Sequence, residues 1–241
     1  QPLRVGNLTV KEGVPAGSLS NFTVFFLDGS DLEVDGSILV EFTALLRLKS
    51  SSIGSGTAGG NLTLAGNFTV SENAGVFESE GQTVTLDGAS GTTQVFEGVF
   101  DGGTSGNAFD NLTIENNITL QADDDVQIVT DLTANGNLTV TSGGAGLLTD
   151  ENDLIVDGTS SIAGDLTVNS GGGIDLNATL TLNGDFTSNG SFDGSAGEFI
   201  FDTGTTTTVS GTFGTGNPFG AITTSGTGTE VTFSNTGTIQ A

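Results

Sequence analysis

A five-residue cassette, Gly60-Asn61-Leu62-Thr63-Leu64, returns along the whole chain and limits what it can fold into. Variants stand at Gly6–Val10, Gly66–Val70, Asp110–Ile114, Gly136–Val140, Gly164–Val168 and Gly184–Thr187. Each reads as a turn followed by a short strand, because Gly and Asn tolerate positive φ and the apolar and Thr residues then alternate. A unit this small cannot bury its own apolar face, so its repetition predicts many near-identical units stacked on one another.

The cassettes come in doublets six residues apart: Asn61 with Asn67, Asn111 with Asn117, Asp131 with Asn137, Thr179 with Asp185. That interval holds a strand, a two-residue corner and a second strand. The doublet at Asn111 precedes the one at Asp131 by 20 residues, the length of one round of stacked chain. A longer duplication overlies this pattern. Leu64–Thr69 resembles Leu182–Thr187, Thr83–Asp87 resembles Glu198–Asp202, and Thr92–Val95 resembles Thr206–Val209. Two related arrays therefore lie in tandem.

Composition agrees with short strands and tight turns. Gly numbers 39 and Pro only 3, and the core must come from Leu, Val, Ile and Phe because Met, Trp, Tyr and Cys are absent. The predicted fold is all-β: a parallel β-solenoid (β-helix) over residues 57–241, preceded by a small N-terminal β module at 1–56 that acts as cap or assembly region. An antiparallel β-sandwich is the alternative. In the N-terminal part, Ile38, Val40, Phe42, Ala44, Leu46 and Leu48 alternate with their neighbours and predict one strand with a fully apolar face. A helix competes there, since Ile38, Phe42, Leu45 and Leu46 also fit 3.6-residue spacing. Ser50–Gly60, rich in Ser and Gly, marks the boundary.

Charge is unevenly placed. The formal net charge is −25, and the four bases Arg4, Lys11, Arg47 and Lys49 all lie in the first 50 residues. Such a polyanion repels nucleic acid and anionic lipid and attracts divalent cations. No apolar run reaches the roughly 18–20 residues of a membrane-spanning helix, so no membrane insertion is expected. A chain beginning at Gln1 fits a processed, secreted protein at the cell surface or outside it.

The cassettes, with Gln82–Gly88, Thr93–Gly98 and Phe109–Ile114 between them, resemble the repetitive β-solenoid surface and adhesin-like proteins exported by Bacteroidota-type bacteria. The resemblance covers roughly residues 57–241. It implies a secreted role at the cell surface or in an extracellular matrix such as a biofilm, and it carries over no catalytic residue.

The chemistry available is narrow. Without His or Cys there is no imidazole or thiolate metal site, and a nucleophilic Ser lacks its usual base. Paired carboxylates could cleave a glycoside, but 29 acids supply pairs by chance. No enzyme activity and no required cofactor are expected. Calcium is the cation the residues suit, at Asp123, Asp124, Asp125, Asp150, Glu151, Asp153 and Asp157, where several oxygens share short loops. A solvated acidic loop is the other reading of these residues. Nine Asn-X-Ser/Thr sequons, at Asn7, Asn21, Asn61, Asn67, Asn111, Asn117, Asn137, Asn177 and Asn189, read first as turn residues of the cassette. The Thr205–Thr208 run suggests an ice-binding Thr array, but no regular Thr-X-Thr ladder accompanies it in the sequence.

These readings predict a structural subunit that joins head to tail with copies of itself into an extracellular filament or matrix fibre. Its basic N-terminal part would meet an acidic C-terminal part, and Leu3–Val10 or Ile38–Leu48 would supply the joining strand. The alternative is a monomeric adhesin or stalk that binds extracellular polysaccharide.

Overall fold

The structure, a computed structural model, describes residues 2–11, 23–27, 29–42, 44–49, 59–71, 75–98, 100, 107–122, 126–142, 153–213 and 218–235. Among them there is no helix; the chain is all-β and every strand pairing is parallel.

The strands fall into three sheets. The first begins with β1 (Leu3–Val5), β4 (Leu32–Val34), β7 (Leu62–Leu64), β10 (Thr83–Leu86), β12 (Phe109–Ile114) and β14 (Val126–Ala134). It continues with β16 (Asp153–Val156), β17 (Thr159–Ile162), β19 (Gly173–Leu176), β20 (Thr179–Leu182), β22 (Ser191–Phe201) and β24 (Phe219–Thr224). The second holds β2 (Leu8–Val10), β5 (Ile38–Val40), β8 (Phe68–Val70), β11 (Thr93–Glu97) and β13 (Ile118–Ala122). Above these come β15 (Leu138–Ser142), β18 (Leu166–Val168), β21 (Phe186–Ser188), β23 (Thr206–Gly211) and β25 (Glu230–Asn235). The third is short: β3 (Thr23–Phe26), β6 (Ala44–Arg47) and β9 (Val76–Glu78).

Each cassette doublet places one strand in the first sheet and the next in the second. In the doublet at Asn61 these are β7 and β8, and in the doublet at Asn111 they are β12 and β13. Register partners lie 20 residues apart between β12 and β14 (Asn111 and Asp131), but 30 apart between β4 and β7 (Leu32 and Leu62). Two strands are long enough to serve two neighbours each. Residues 126–128 of β14 pair with β16 and residues 131–134 with β17, while β22 pairs with both β19 and β20. The pairing thus closes into a parallel ring, β14–β16–β19–β22–β20–β17, which separate stacked faces would not form.

The strand pairing also crosses the expected boundary near residue 56, because β4 pairs with β7 and β5 with β8. Most of the Ser/Gly-rich stretch between them, 50–58, lies outside the described residues. The single strand expected over Ile38–Leu48 is two strands in different sheets. A turn closed by the Ala44 amide donating to the Glu41 carbonyl (3.0 Å) separates them and leaves Phe42 51% exposed. Inward alternation resumes beyond it, so Ile38, Val40, Ala44, Leu46 and Leu48 are all buried.

Leu, Val, Ile and Phe side chains point inward in columns and form one core from Val10 to Phe219. Aromatic rings concentrate at two levels. Phe68 packs on Phe77, Phe96, Phe100 and Phe109, and Phe186 packs on Phe192, Phe199, Phe213 and Phe219. The tandem duplication is visible here in three dimensions. Buried Gln94 donates to the Gly66 carbonyl (2.7 Å), and buried Thr207 donates to the Gly184 carbonyl (2.5 Å). Both bonds run from the strand after a corner to the glycine of the cassette beneath.

The cassette Asn has a specific task. The Asn117 side-chain oxygen accepts from the Asn137 amide (2.8 Å), that of Asn137 from the Asp165 amide (2.9 Å), and that of Asp165 from the Asp185 amide (2.8 Å). A carboxylate oxygen serves as well as an amide oxygen because the ladder needs only an acceptor, which accounts for Gly-Asp variants of the cassette. Asn137→Ala is therefore expected to cost about 1 kcal/mol, the worth of one such bond. Asn137→Asp should cost less, and urea unfolding of the two variants checks the difference.

The cassette glycine is needed for another reason than positive φ. Gly164 and Gly184 are not among the positive-φ glycines. A Cβ on Gly164 would overlap the Asn137 side-chain oxygen of the adjacent pass, and one on Gly184 would overlap Asp165 and the Gly164 carbonyl. Close stacking of corners demands the glycine.

Candidate functional site

The expected calcium ligands are not brought together among the described residues. Asp123, Asp124, Asp125, Asp150 and Glu151 lie outside them. Asp153 opens β16. Asp157, just past the end of β16, accepts from the Gln127 amide (2.5 Å) and the Asn177 amide (3.0 Å), which stand 30 residues before and 20 after it. Its carboxylate thus joins three passes of chain. Among the described residues no group of three or more His, Cys, Asp or Glu is gathered as a metal ion would require.

The register does gather charge elsewhere. Arg4 reaches Asp35 with Nη2 (2.7 Å) and Nε (2.9 Å) and approaches Glu33 (3.5 Å). Lys11 pairs with Glu41 (3.4 Å), and Arg47 pairs with Glu78 and lies 3.7 Å from Glu80. These carboxylates lie 29 to 33 residues further along the chain than their bases, so each pair ties one pass to the next. Three of the four bases are thereby engaged within the molecule, and the expected basic N-terminal part presents less free positive charge than its composition suggests. The Arg4 hydrogen bonds hold the Asp35 carboxyl below the usual carboxylate range.

Above Arg47 a groove of about 360 Å³ is lined by Glu78, Ser79, Glu80, Ala108, Asp110, Gln127 and Val129. Asp110 anchors it by accepting from the Ser79 hydroxyl and the Gly81 amide, both at 2.6 Å. Glu80 lies in the left-handed region at φ 53°, alone among the described non-glycine residues, and with Gly81 forms a tight turn closed by the Gln82 amide on the Ser79 carbonyl (3.0 Å). Nothing in the sequence marks this groove, because Glu78, Asp110 and Gln127 meet only through register.

Asp87 sits in a less favourable place. Its Oδ1 is buried without a hydrogen-bond partner among the described residues. Burial, then the nearby Glu33 carboxylate, raise its pKa above the ordinary value. A carboxyl raised on folding costs stability once pH climbs past the usual range near about 4, and the cost is complete above its folded pKa. Asp87→Asn should therefore raise the melting temperature at pH 7, with the gain vanishing below about pH 4. Thermal unfolding of both chains across that range measures it.

The two ends of the strand array complete the inventory. Among the described residues, β1 and β2 are each paired on one side only, as are β24 and β25. Inward-facing residues lose cover there: Leu3 is 50% and Phe233 37% exposed, whereas their register partners Leu32 and Val209 are buried. Of the two segments expected to supply a joining strand, Ile38–Leu48 is excluded, since β5 and β6 have neighbours on both sides. Within Leu3–Val10, β1 and β2 each have a single neighbour among the described residues.

No protein-family model, curated protein or solved structure matches the chain.

Proposed function

We propose that the chain is a parallel β-solenoid, widened where β14 and β22 span two faces, and that it serves as a structural subunit of an extracellular filament or matrix fibre. The observation that carries this reading is the pair of half-paired ends with exposed apolar residues. A β1/β2 edge meeting the β24/β25 edge of a second copy would continue both ladders and cover Leu3 and Phe233. Such a heterologous contact does not close, so it propagates. With Arg4, Lys11 and Arg47 already ion-paired, backbone pairing and apolar burial drive the contact more than a basic-to-acidic attraction does. Calcium would act by screening a chain of net charge −25, at the acidic sequence stretches 123–125 and 150–157.

Electron microscopy and light scattering of the purified chain, with and without calcium, test this. Fibres with a regular subunit repeat are expected, and Thr9→Pro, which places a proline on the free edge of β2, should shorten them. A chain that stays monomeric at high concentration in both conditions overturns the reading. Monomers that bind extracellular polysaccharide would then support the adhesin or stalk alternative.

A further inference from the structure

The Thr205–Thr208 run does not itself build a Thr array, since Thr207 points into the core. The register builds one elsewhere. On the outer side of the first sheet, Thr63, Thr85, Thr113, Thr133, Ser161 and Thr181 stand in one column on six successive strands. Two residues earlier on the same strands runs a second column, Thr83, Asn111, Asp131, Thr159 and, by the same register, Thr179. The rows read Thr-X-Thr at Thr83–Thr85 and Thr179–Thr181 and Thr-X-Ser at Thr159–Ser161, while Asn61, Asn111 and Asp131 take the place of the first Thr in the other three.

The first column is an unbroken line of hydroxyl groups, each with a methyl except at Ser161, and Thr83, Thr159 and Thr179 extend it along the strands into a two-dimensional lattice. Its repeat is roughly 4.8 Å from strand to strand and about 6.7 Å along each strand. The residues beneath the first column are buried, from Leu62 through Val84, Leu112 and Leu132 to Leu180, so the lattice has a packed backing. Among the described residues, the hydroxyls of Thr63, Thr85, Thr113, Thr133 and Thr181 have no hydrogen-bond partner in the protein. On the second sheet the position two residues before Thr119, Thr139 and Thr167 is Asn or Asp bonded to the neighbouring backbone, as Asn61 and Asn111 are on the first.

The composition of these rows narrows the partner. No aromatic ring stands on them for a sugar to stack against, and no base stands there to hold an anion. What the first column offers is regular spacing, free hydroxyls and methyl groups between them. Methyl groups order the water next to them, and hydroxyls at fixed spacing anchor that ordered layer. The strand-to-strand and along-strand repeats lie close to those at which water oxygens recur on a prism face of ice. We propose that this face of the first sheet binds the surface of ice crystals. This proposal does not depend on filament formation.

The test uses the full chain in supercooled buffer, measuring thermal hysteresis and inhibition of ice recrystallisation. The unsubstituted protein should show both. Thr113→Tyr, which raises a bulky ring in mid-lattice, should lose both, while Thr167→Tyr on the second sheet should keep them. Thr113→Val, which preserves shape and methyl groups, should retain most of the effect. Circular dichroism of each variant establishes that the strands are intact, and Thr133→Lys replaces Thr113→Tyr if the latter does not fold. An unsubstituted chain without effect on ice growth overturns the proposal. Equal loss in the two Tyr variants with intact strands overturns it too, as does adsorption to crystalline polysaccharide without ice activity.

Discussion

Gly98→Ala should destabilise the protein by about 3–5 kcal/mol, the sum of backbone strain and an overlap that the tight stack cannot relieve. Gly98 has φ 101°, a conformation that a residue with a Cβ adopts only under strain. A Cβ there would also overlap the Val70 carbonyl one pass below. Gly211 repeats the arrangement at φ 123° over the Ser188 carbonyl, at the matching place in the second array. Gly81 supplies the control. It has φ 79° but nothing within 4 Å of an added Cβ, so Gly81→Ala should cost only the strain, about 1–2 kcal/mol. Urea unfolding followed by circular dichroism separates the two. Equal midpoints for the two variants would mean that the close stacking at Gly98 does not hold in solution.

Phe186→Ala should cost a similar amount, about 3–5 kcal/mol, through the cavity it leaves. The ring is fully buried and meets Phe192, Phe199, Phe213 and Phe219 at centroid distances of 5.2, 5.1, 5.8 and 6.0 Å. Neighbouring rings are rigid and packed from several strands, so they cannot collapse into the space. Phe233→Ala, at a side chain already 37% exposed, should cost under about 1 kcal/mol. In a chain whose contacts are mainly between neighbouring passes, the loss at Phe186 should also be local. Hydrogen exchange should rise in β20–β23 while β7–β12 stay protected.

Much of this architecture was legible in the residues. The doublet Asn61/Asn67 announced a strand, a corner and a strand, and β7 and β8 follow it. The 20-residue interval from Asn111 to Asp131 became a register pair. The unbroken period-two pattern through Phe42 predicts a continuing strand. The structure turns there instead, since a corner that shifts the chain by an even number of residues preserves inward alternation on both sides. Alternation alone cannot distinguish one long strand from two short ones around a corner.

The candidate sites were less legible. Asp157 stood out in the sequence for its acidic neighbours, yet its carboxylate is engaged by Gln127 and Asn177. Ion pairs such as Arg47 with Glu78 join residues about 30 apart, an interval that varies from pass to pass. The Thr lattice is hidden for the same reason. Its rows recur after 22, 28, 20, 28 and 20 residues from Thr63 to Thr181, so no fixed period reveals them.

What the amino-acid sequence determines by itself is the side each residue takes. Within strands most Leu and Phe go inward and most Thr outward, and Gly with Asn makes the corner, because strand alternation and turn chemistry act over a few residues. Which residues become neighbours across passes was decided only by the tertiary structure. Loops of unequal length separate the strands, and the register settles where apolar columns stack and corner glycines fit. That register turns the cassette Asn into a ladder, requires its Gly for close approach rather than for positive φ, and aligns scattered threonines into one column.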